Sequence, residues 1–358
     1  MRARLKQYWL PLLAAALAIA CLVCVWRVYA LKNLLPDQHA AERWQGEGGM
    51  EFAQISFFMA RDQKLSRDQL YSFRNEMYKK LEAASLDPKT DTGLLHDAWS
   101  TSVTLKVANG RQSGEVQVIP VGGSFFDFHP LRLLSGNYLT PGDVMDDRVL
   151  LDRETAWLLF GGTELSGMSF TIEGAPFVVA GVYEHADDRF SRRADEDVMC
   201  IFMSYDAFER LAPEKTGVTC YELLMADPVR GFARTAAEEK FPIKSAEMLV
   251  NSGRFEPDRL YALLKDQSAR SMRTGAAVYP AWENAARAVE DRAAQYFAAA
   301  IVLGVLPAVL LVIYAVRMLR RGRKRLGDEV LPDAGERLQE FHRVRARKRW
   351  EKKHPDMK

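Results

Sequence analysis

Tyr8 to Trp26 reads YWLPLLAAALAIACLVCVW, Phe297 to Val316 reads FAAAIVLGVLPAVLLVIYAV, and neither stretch contains a charged residue. At about 1.5 Å rise per residue, a helix of either length spans roughly 30 Å, the thickness of a bilayer's hydrocarbon core. Lipid offers the backbone no water to bond, so such a segment crosses as a helix. Tyr8, Trp9, Trp26 and Arg27 border the first run, and Tyr296 and Arg317 the second, as interface residues do. A signal peptide cut near Val28-Tyr29-Ala30 is the alternative for the first run, but signal cores are shorter, roughly 7–15 residues. Lipidation at Cys21 is disfavoured because the chain stays apolar as far as Trp26. The first run is therefore read as an uncleaved anchor.

Working outward, cations set the orientation. Arg317, Arg320, Arg321, Arg323, Lys324 and Arg325 crowd the far side of the second run, against Arg287 and Arg292 before it. Positive residues stay in the cytoplasm, which places the C-terminus inside. Two spans then put the N-terminus inside too, in agreement with Arg2, Arg4 and Lys6. The chain's net charge of +2 hides an asymmetry: the tail 317–358 carries +8, the first seven residues +3, and the intervening domain −9. The expected organisation is a cytoplasmic N-terminus (1–7), a first transmembrane helix (8–26), an extracytoplasmic domain (27–296), a second transmembrane helix (297–316) and a basic cytoplasmic tail (317–358). The tail is read as touching anionic lipid. It lacks interleaved aromatics beyond Phe341 and Trp350, so nucleic acid is not an expected partner.

The outer domain punctuates itself as α+β, small mixed sheets with packed helices, in two subdomains. Glu51 to Met59 is β-prone. Leu70, Phe73, Met77 and Leu81 recur at helical spacing in a stretch opened by Ser66 and running to about Ala84. Ser100–Val107 and Glu115–Val121 alternate like half-buried strands around an Asn109-Gly110 turn. The stretch 143–228 is expected to be an inserted, hairpin-rich subdomain. It offers a strand at Arg148–Leu151, a short helix at Arg153–Phe160, and a hairpin of Met168–Ile172 and Phe177–Val182 around Glu173-Gly174-Ala175-Pro176. A strand at Val198–Met203, a helix at Ser204–Leu211, a strand at Val218–Met225 and a helix near Phe232–Phe241 follow, and the chain is mainly helical after Arg254.

Residues 131–184 carry a family resemblance. Leu134-Ser135-Gly136-Asn137-Tyr138-Leu139 is followed by Asp143, the strand Arg148–Leu151, Ala156-Trp157-Leu158-Leu159-Phe160-Gly161 and Gly167-Met168-Ser169-Phe170-Thr171-Ile172. Gly174-Ala175-Pro176-Phe177-Val178-Val179-Ala180-Gly181-Val182 closes the pattern. This string resembles the extracytoplasmic core domain of MacB/FtsX-like ABC-transporter permeases, which sits between the first two membrane helices. Such permeases continue into two further helices, so the chain is read as a relative truncated to two. The resemblance implies an outer domain that couples helix motion to extracytoplasmic work, with an ABC-type ATPase and an additional permease subunit as partners.

No catalytic, cofactor-binding or metal-binding residue is expected, and no cofactor. Gly162–Ser169 has P-loop glycine spacing, but Met168 replaces the lysine that meets phosphate and a strand follows where a helix is needed. His39, His96, His129, His185, His342 and His354 are scattered, and His185 with Asp187 and Asp188 reads better as a solvated loop than as cation ligands. Cys21 and Cys24 lie within the first span. Cys200 and Cys220 occupy two strands in a compartment that permits disulfides, so a bridge between them is open. Ala14, Ala18, Ala16 and Ala20 allow close helix contact, with homodimerisation among the expected contacts, and Pro307 leaves the Leu303 carbonyl without its usual donor. The leading expectation is a non-enzymatic, permease-like or accessory membrane component. A two-helix ligand sensor or structural anchor is the alternative, and a surface enzyme ranks last.

Overall fold

The computed structural model describes residues 2–45, 50–60, 62–87, 92–140, 147–195, 198–271, 279–325 and 331–353; Asp143 and His354 lie outside the described residues. In chain order the first elements are α1 (Arg2–Lys32), α2 (Ala40–Gln45), β1 (Phe52–Phe58), α3 (Arg67–Ala83), β2 (Leu95–Ser100), β3 (Val103–Asn109), β4 (Gln112–Gly123) and α4 (Phe125–Phe128). Next come β5 (Arg132–Gly136), β6 (Arg148–Asp152), α5 (Arg153–Phe160), β7 (Ser169–Ile172), β8 (Ala175–Glu184), α6 (Arg189–Asp195), β9 (Cys200–Ser204) and α7 (Tyr205–Leu211). The last are β10 (Cys220–Ala226), α8 (Phe232–Lys240), β11 (Glu247–Val250), α9 (Pro257–Ser271), α10 (Ala281–Arg325) and α11 (Leu331–Lys353). The chain divides into two compact units, Trp26–Phe297 and the two ends Met1–Val25 with Ala298–Lys358.

In the central unit, four antiparallel strands run in the order β11-β1-β10-β2. With α3 between β1 and β2, and α8 between β10 and β11, this is a split β-α-β pattern of ferredoxin type. Side chains alternate across the sheet. Ala53, Ile55 and Phe57 of β1, with Tyr221, Leu223 and Met225 of β10, join the core that contains Leu70, Phe73, Met77 and Leu81 of α3. The alternating positions Gln54, Ser56, Glu222 and Leu224 therefore face the other side, which carries the candidate site. α3 starts where the sequence places it. Ser66 Oγ accepts from Gln69 N at 3.3 Å and Gln69 Oε1 accepts from Ser66 N at 3.1 Å, a reciprocal capping box.

Between β2 and β10 the chain closes a six-stranded barrel, β3-β4-β9-β6-β8-β7 and back to β3. Strands β3 and β4 thus complete a ring whose remaining strands fall within 143–228. Leu105, Val116, Leu151, Ile172, Val179 and Ile201 contribute to its apolar core. The expected strand Ser100–Val107 is broken at Thr101-Ser102, where the chain leaves the four-stranded sheet for the barrel while β4 pairs with both halves. The β7–β8 turn is tighter than expected. Glu173 (φ 49°) and Gly174 (φ 82°) alone form the loop, and Pro176 already sits in β8 opposite Thr171. Two consecutive left-handed residues match the twist of a two-residue hairpin.

The helices α1 and α10 carry stretches long and apolar enough to cross a membrane, Leu12–Lys32 and Ala281–Arg320. Cys21 Sγ donates to the Ala300 carbonyl at 3.2 Å, and a Cβ added at Gly304 would lie 3.3 Å from the same sulfur. Small residues at Ala300 and Gly304 let the two backbones approach there. Of the alanines considered for that role, Ala14, Ala18 and Ala20 are half-buried and Ala16 is exposed.

Candidate functional site

The face of the four-stranded sheet turned away from α3 is buried, yet it is lined by polar residues that the strand pattern forces inward. Gln54 accepts from Ala40 N at 3.1 Å and donates to the Asp37 carbonyl at 2.7 Å. Ser56 donates to Glu222 Oε1 at 3.1 Å and accepts from Asn251 Nδ2 at 2.9 Å. Glu222 Oε2 lies 2.5 Å from His129 Nε2, and both groups are buried. His129 is wedged between Phe125 and Trp282, with Asp37 Oδ1 at 3.5 Å from Nδ1. Burial alone would push this imidazole down, but the Glu222 carboxylate, aided by Asp37, outweighs it and lifts the pKa to about 10. His129 is therefore an imidazolium ion-paired to Glu222 at neutral pH.

One turn away, Asn251–Gly253 delivers Arg254, whose side chain is wholly buried. Arg254 donates to Gln38 Oε1 at 3.0 Å and through Nη2 to both Glu283 oxygens at 2.8 and 2.7 Å. Its Nε lies 3.2 Å from Glu290 Oε1, which Arg259 approaches at 3.4 Å. Arg287 bonds Glu283 at 2.7 Å and Glu247 at 2.6 Å while stacking 3.8 Å over the Tyr279 ring. Burial and the Glu247 bond together push the Tyr279 hydroxyl up to about 12. Arg287 is driven further above its ordinary range: burial opposes the charge, and Glu283 with Glu247 overcomes it.

These residues tie the start of α10 and the stretch after α1 onto the sheet. Leu31 and Leu35 pack with Leu260, Ala285, Ala286, Val289, Ala293 and Ala294. Chemically the arrangement is an interlocked set of desolvated ion pairs with no activated nucleophile. Its partners must move together, because any one charge left alone in that interior is costly.

Sequence reasoning passed over Arg254, Glu283, Glu290 and Glu222. The available signal was positional: Glu283, Ala286, Glu290, Ala293 and Phe297 recur at three and four residues, so two carboxylates occupy an apolar stripe. His185 meets Asp152 at 3.2 Å, and with Glu154 these form the grouping of potential ligands found among the described residues. Asp152 is already engaged, accepting from Thr155 N at 2.8 Å and Cys200 N at 2.9 Å. Asp188 instead accepts from Phe190 N and Ser191 N at the start of α6. His39 bridges Glu42 and the Lys32 carbonyl, while His342 lies beside Phe341. Gly162–Ser169 is the loop between α5 and β7. Neither Cys200 nor Cys220 is in a disulfide. β2 and β4 separate their strands, so neighbour spacings of about 4.8 Å put them well beyond the reach of a disulfide.

A shallow cleft of about 280 Å³ opens beside this face, lined among others by Arg43, Trp44, His96, Phe126 and Pro130. Trp44 packs on His96 with ring centroids 3.8 Å apart, and burial pushes the His96 imidazole down.

Residues 58–242, just over half of the chain, match the MacB-like periplasmic core domain. The chain belongs to this family. Among solved structures, the periplasmic region of MacB from Actinobacillus actinomycetemcomitans is similar at 15% identity over 65% of this chain and all of that one, TM-score 0.44. The extracellular domain of the noncanonic ABC-type transporter YknZ from Gram-positive bacteria is similar at 11% identity over 56% of this chain and all of that one, TM-score 0.40. No curated protein matches. A MacB-like periplasmic core domain beside two helices apolar enough to cross a membrane marks a membrane protein with an extracytoplasmic domain.

Proposed function

We propose that the chain is a non-enzymatic, permease-like or accessory component of a MacB/FtsX-type ABC transporter complex, its outer domain coupling helix motion to extracytoplasmic work. The observation that carries this reading is Arg254. It is fully buried and binds the first turns of α10 through Glu283 and Glu290, and the segment after α1 through Gln38. A displacement of α10's first turns is then transmitted to the sheet rather than absorbed by a loose joint.

The charge asymmetry supports an orientation with both termini cytoplasmic. An ABC-type ATPase, with an additional permease chain, would meet the cationic end of α10 around Arg317–Arg325. The cleft beside Trp44 and His96 favours, as a second reading, an extracytoplasmic ligand sensor. Purification of the tagged full-length protein in mild detergent separates the two. Recovery of an ABC-type ATPase supports the transporter component; reproducible isolation without one, with a small molecule bound by the purified protein, supports the sensor.

A further inference from the structure

Beyond the family domain, α11 is a 23-residue helix whose side chains from 337 to 350 are all solvent-exposed. Its charges are biased along its length: Asp333, Glu336 and Glu340, with Arg337 among them, precede Arg343, Arg345, Arg347, Lys348, Arg349, Lys352 and Lys353, against which only Glu351 stands. Leu338, Phe341 and Val344 are 63%, 56% and 48% exposed. At about 100° per residue they share an arc of roughly 120°. Arg345 and Lys348 fall at the same side, and the Arg345 guanidinium lies 5.1 Å from the Phe341 ring centre. Arg343 and Arg347 lie on the opposite side. Trp350, 52% exposed, lies on that opposite side too, nine residues from Phe341.

A surface that takes up this helix must be negative and must offer a thin apolar layer to short side chains flanked by cations. An anionic leaflet has both properties, because arginine and lysine stems lie along its apolar boundary while their heads meet lipid phosphates. Nearness favours it over any soluble polyanion. Five residues separate Arg325 at the end of α10 from Leu331, and a linker of that length reaches at most about 18 Å. We propose that α11 is a lipid-docking helix that lies on the anionic leaflet through Arg345, Lys348 and Arg349, with Leu338, Phe341 and Val344 entering the headgroup layer. The inference rests on the cytoplasmic placement of the tail argued above.

The full-length protein in nanodiscs tests it, since a disc exposes both sides and the result does not depend on orientation in the cell. Hydrogen exchange of peptides within 337–353 is expected to slow about tenfold when one-third of a phosphatidylcholine disc is replaced by phosphatidylglycerol. The protection should be lost in about 0.5 M NaCl, and in the double variant Arg345→Glu, Lys348→Glu. Equal exchange in neutral and anionic discs overturns the proposal, as does protection that arises only when cytosolic protein is added. Accessibility of a C-terminal tag in intact cells reports the orientation separately. An externally accessible tag would remove the inner leaflet as the target without altering the nanodisc result.

Discussion

Arg254 presents one guanidinium nitrogen to both oxygens of Glu283, at 2.8 and 2.7 Å, inside a site that water does not reach. A surface pair of similar length would contribute little; here both charges have been stripped of solvent, and each holds the other in place. Arg254→Ala should therefore destabilise the full-length protein by about 3–5 kcal/mol, because Glu283 and Glu290 lose the buried cation they share. Arg254→Lys should recover only part of that loss, since an ammonium cannot reproduce the geometry reaching Gln38, Glu283 and Glu290 at once. The Arg132–Glu184 pair is a control: Arg132 is 75% exposed, and Arg132→Ala should cost under about 1 kcal/mol. Denaturant unfolding in detergent measures all three, and an Arg254→Ala loss no larger than that of the control would refute the interlock.

The His129–Glu222 pair makes stability depend on pH. The folded-state value of about 10 lies above the ordinary 6.5. The folded state therefore binds a proton that the unfolded chain releases, and the contribution is complete below about pH 6.5 and fades as pH rises towards 10. The midpoint of thermal unfolding should fall across that window in the parent protein. His129→Gln should unfold earlier at pH 6 and show a shallower decline between pH 7 and 10. Parallel curves for the two proteins would mean that the imidazole is neutral.

How much of this was legible in the sequence depends on the range of the interactions. The capping box at Ser66, the apolar spacing of Leu70, Phe73, Met77 and Leu81, and the Glu173-Gly174 turn are local, so their residues announce them. Barrel closure is not local. Val107 meets Ile172, and Gln117 meets Cys200, across dozens of residues that alternate as any half-buried strand would. The strand β5, which overlaps the start of the family-like Leu134–Leu139 string, lacks strong alternation and is fixed by pairing with β8. The charge interlock was hidden differently: Arg287 reads as a flanking cation of the second span, and its partners are Glu283, one turn earlier on α10, and Glu247 on β11. Only the position of Glu283 and Glu290 in an apolar stripe distinguishes them from solvated charges.

Cys200 and Cys220 should remain reduced even in an oxidising compartment. Burial raises the Cys220 thiol well above its usual value, with nearby Glu222 and Glu283 adding to the effect, so little thiolate is available. Peptide mass spectrometry without reductant should find both residues unbridged, and alkylation should reach them only after denaturation. A Cys200–Cys220 peptide pair would contradict the strand order β10-β2-β4-β9.

Two glycines of the family-like string, Gly136 and Gly181, are opposite one another where β5 pairs with β8. Gly136 has φ +76°, and a Cβ there would lie 2.1 Å from the Ala180 carbonyl oxygen; a Cβ at Gly181 would lie 2.6 Å from that of Ser135. Both obstacles are backbone, which cannot rotate aside as a side chain can. Gly181 has ordinary backbone angles, so Gly181→Ala isolates the contact from any conformational strain. It should cost about 1–3 kcal/mol, the usual range for forcing extra volume into a packed site. Gly136→Ala adds a left-handed backbone to a tighter clash and should cost more. Gly162→Ala, at a position open to solvent with nothing within 4 Å of the added carbon, should be nearly neutral. Unfolding midpoints ranked Gly162→Ala, Gly181→Ala, Gly136→Ala in descending order would confirm that close approach of β5 and β8 makes this pair glycine. Equal midpoints for Gly181→Ala and Gly162→Ala would show that the strands have room to part.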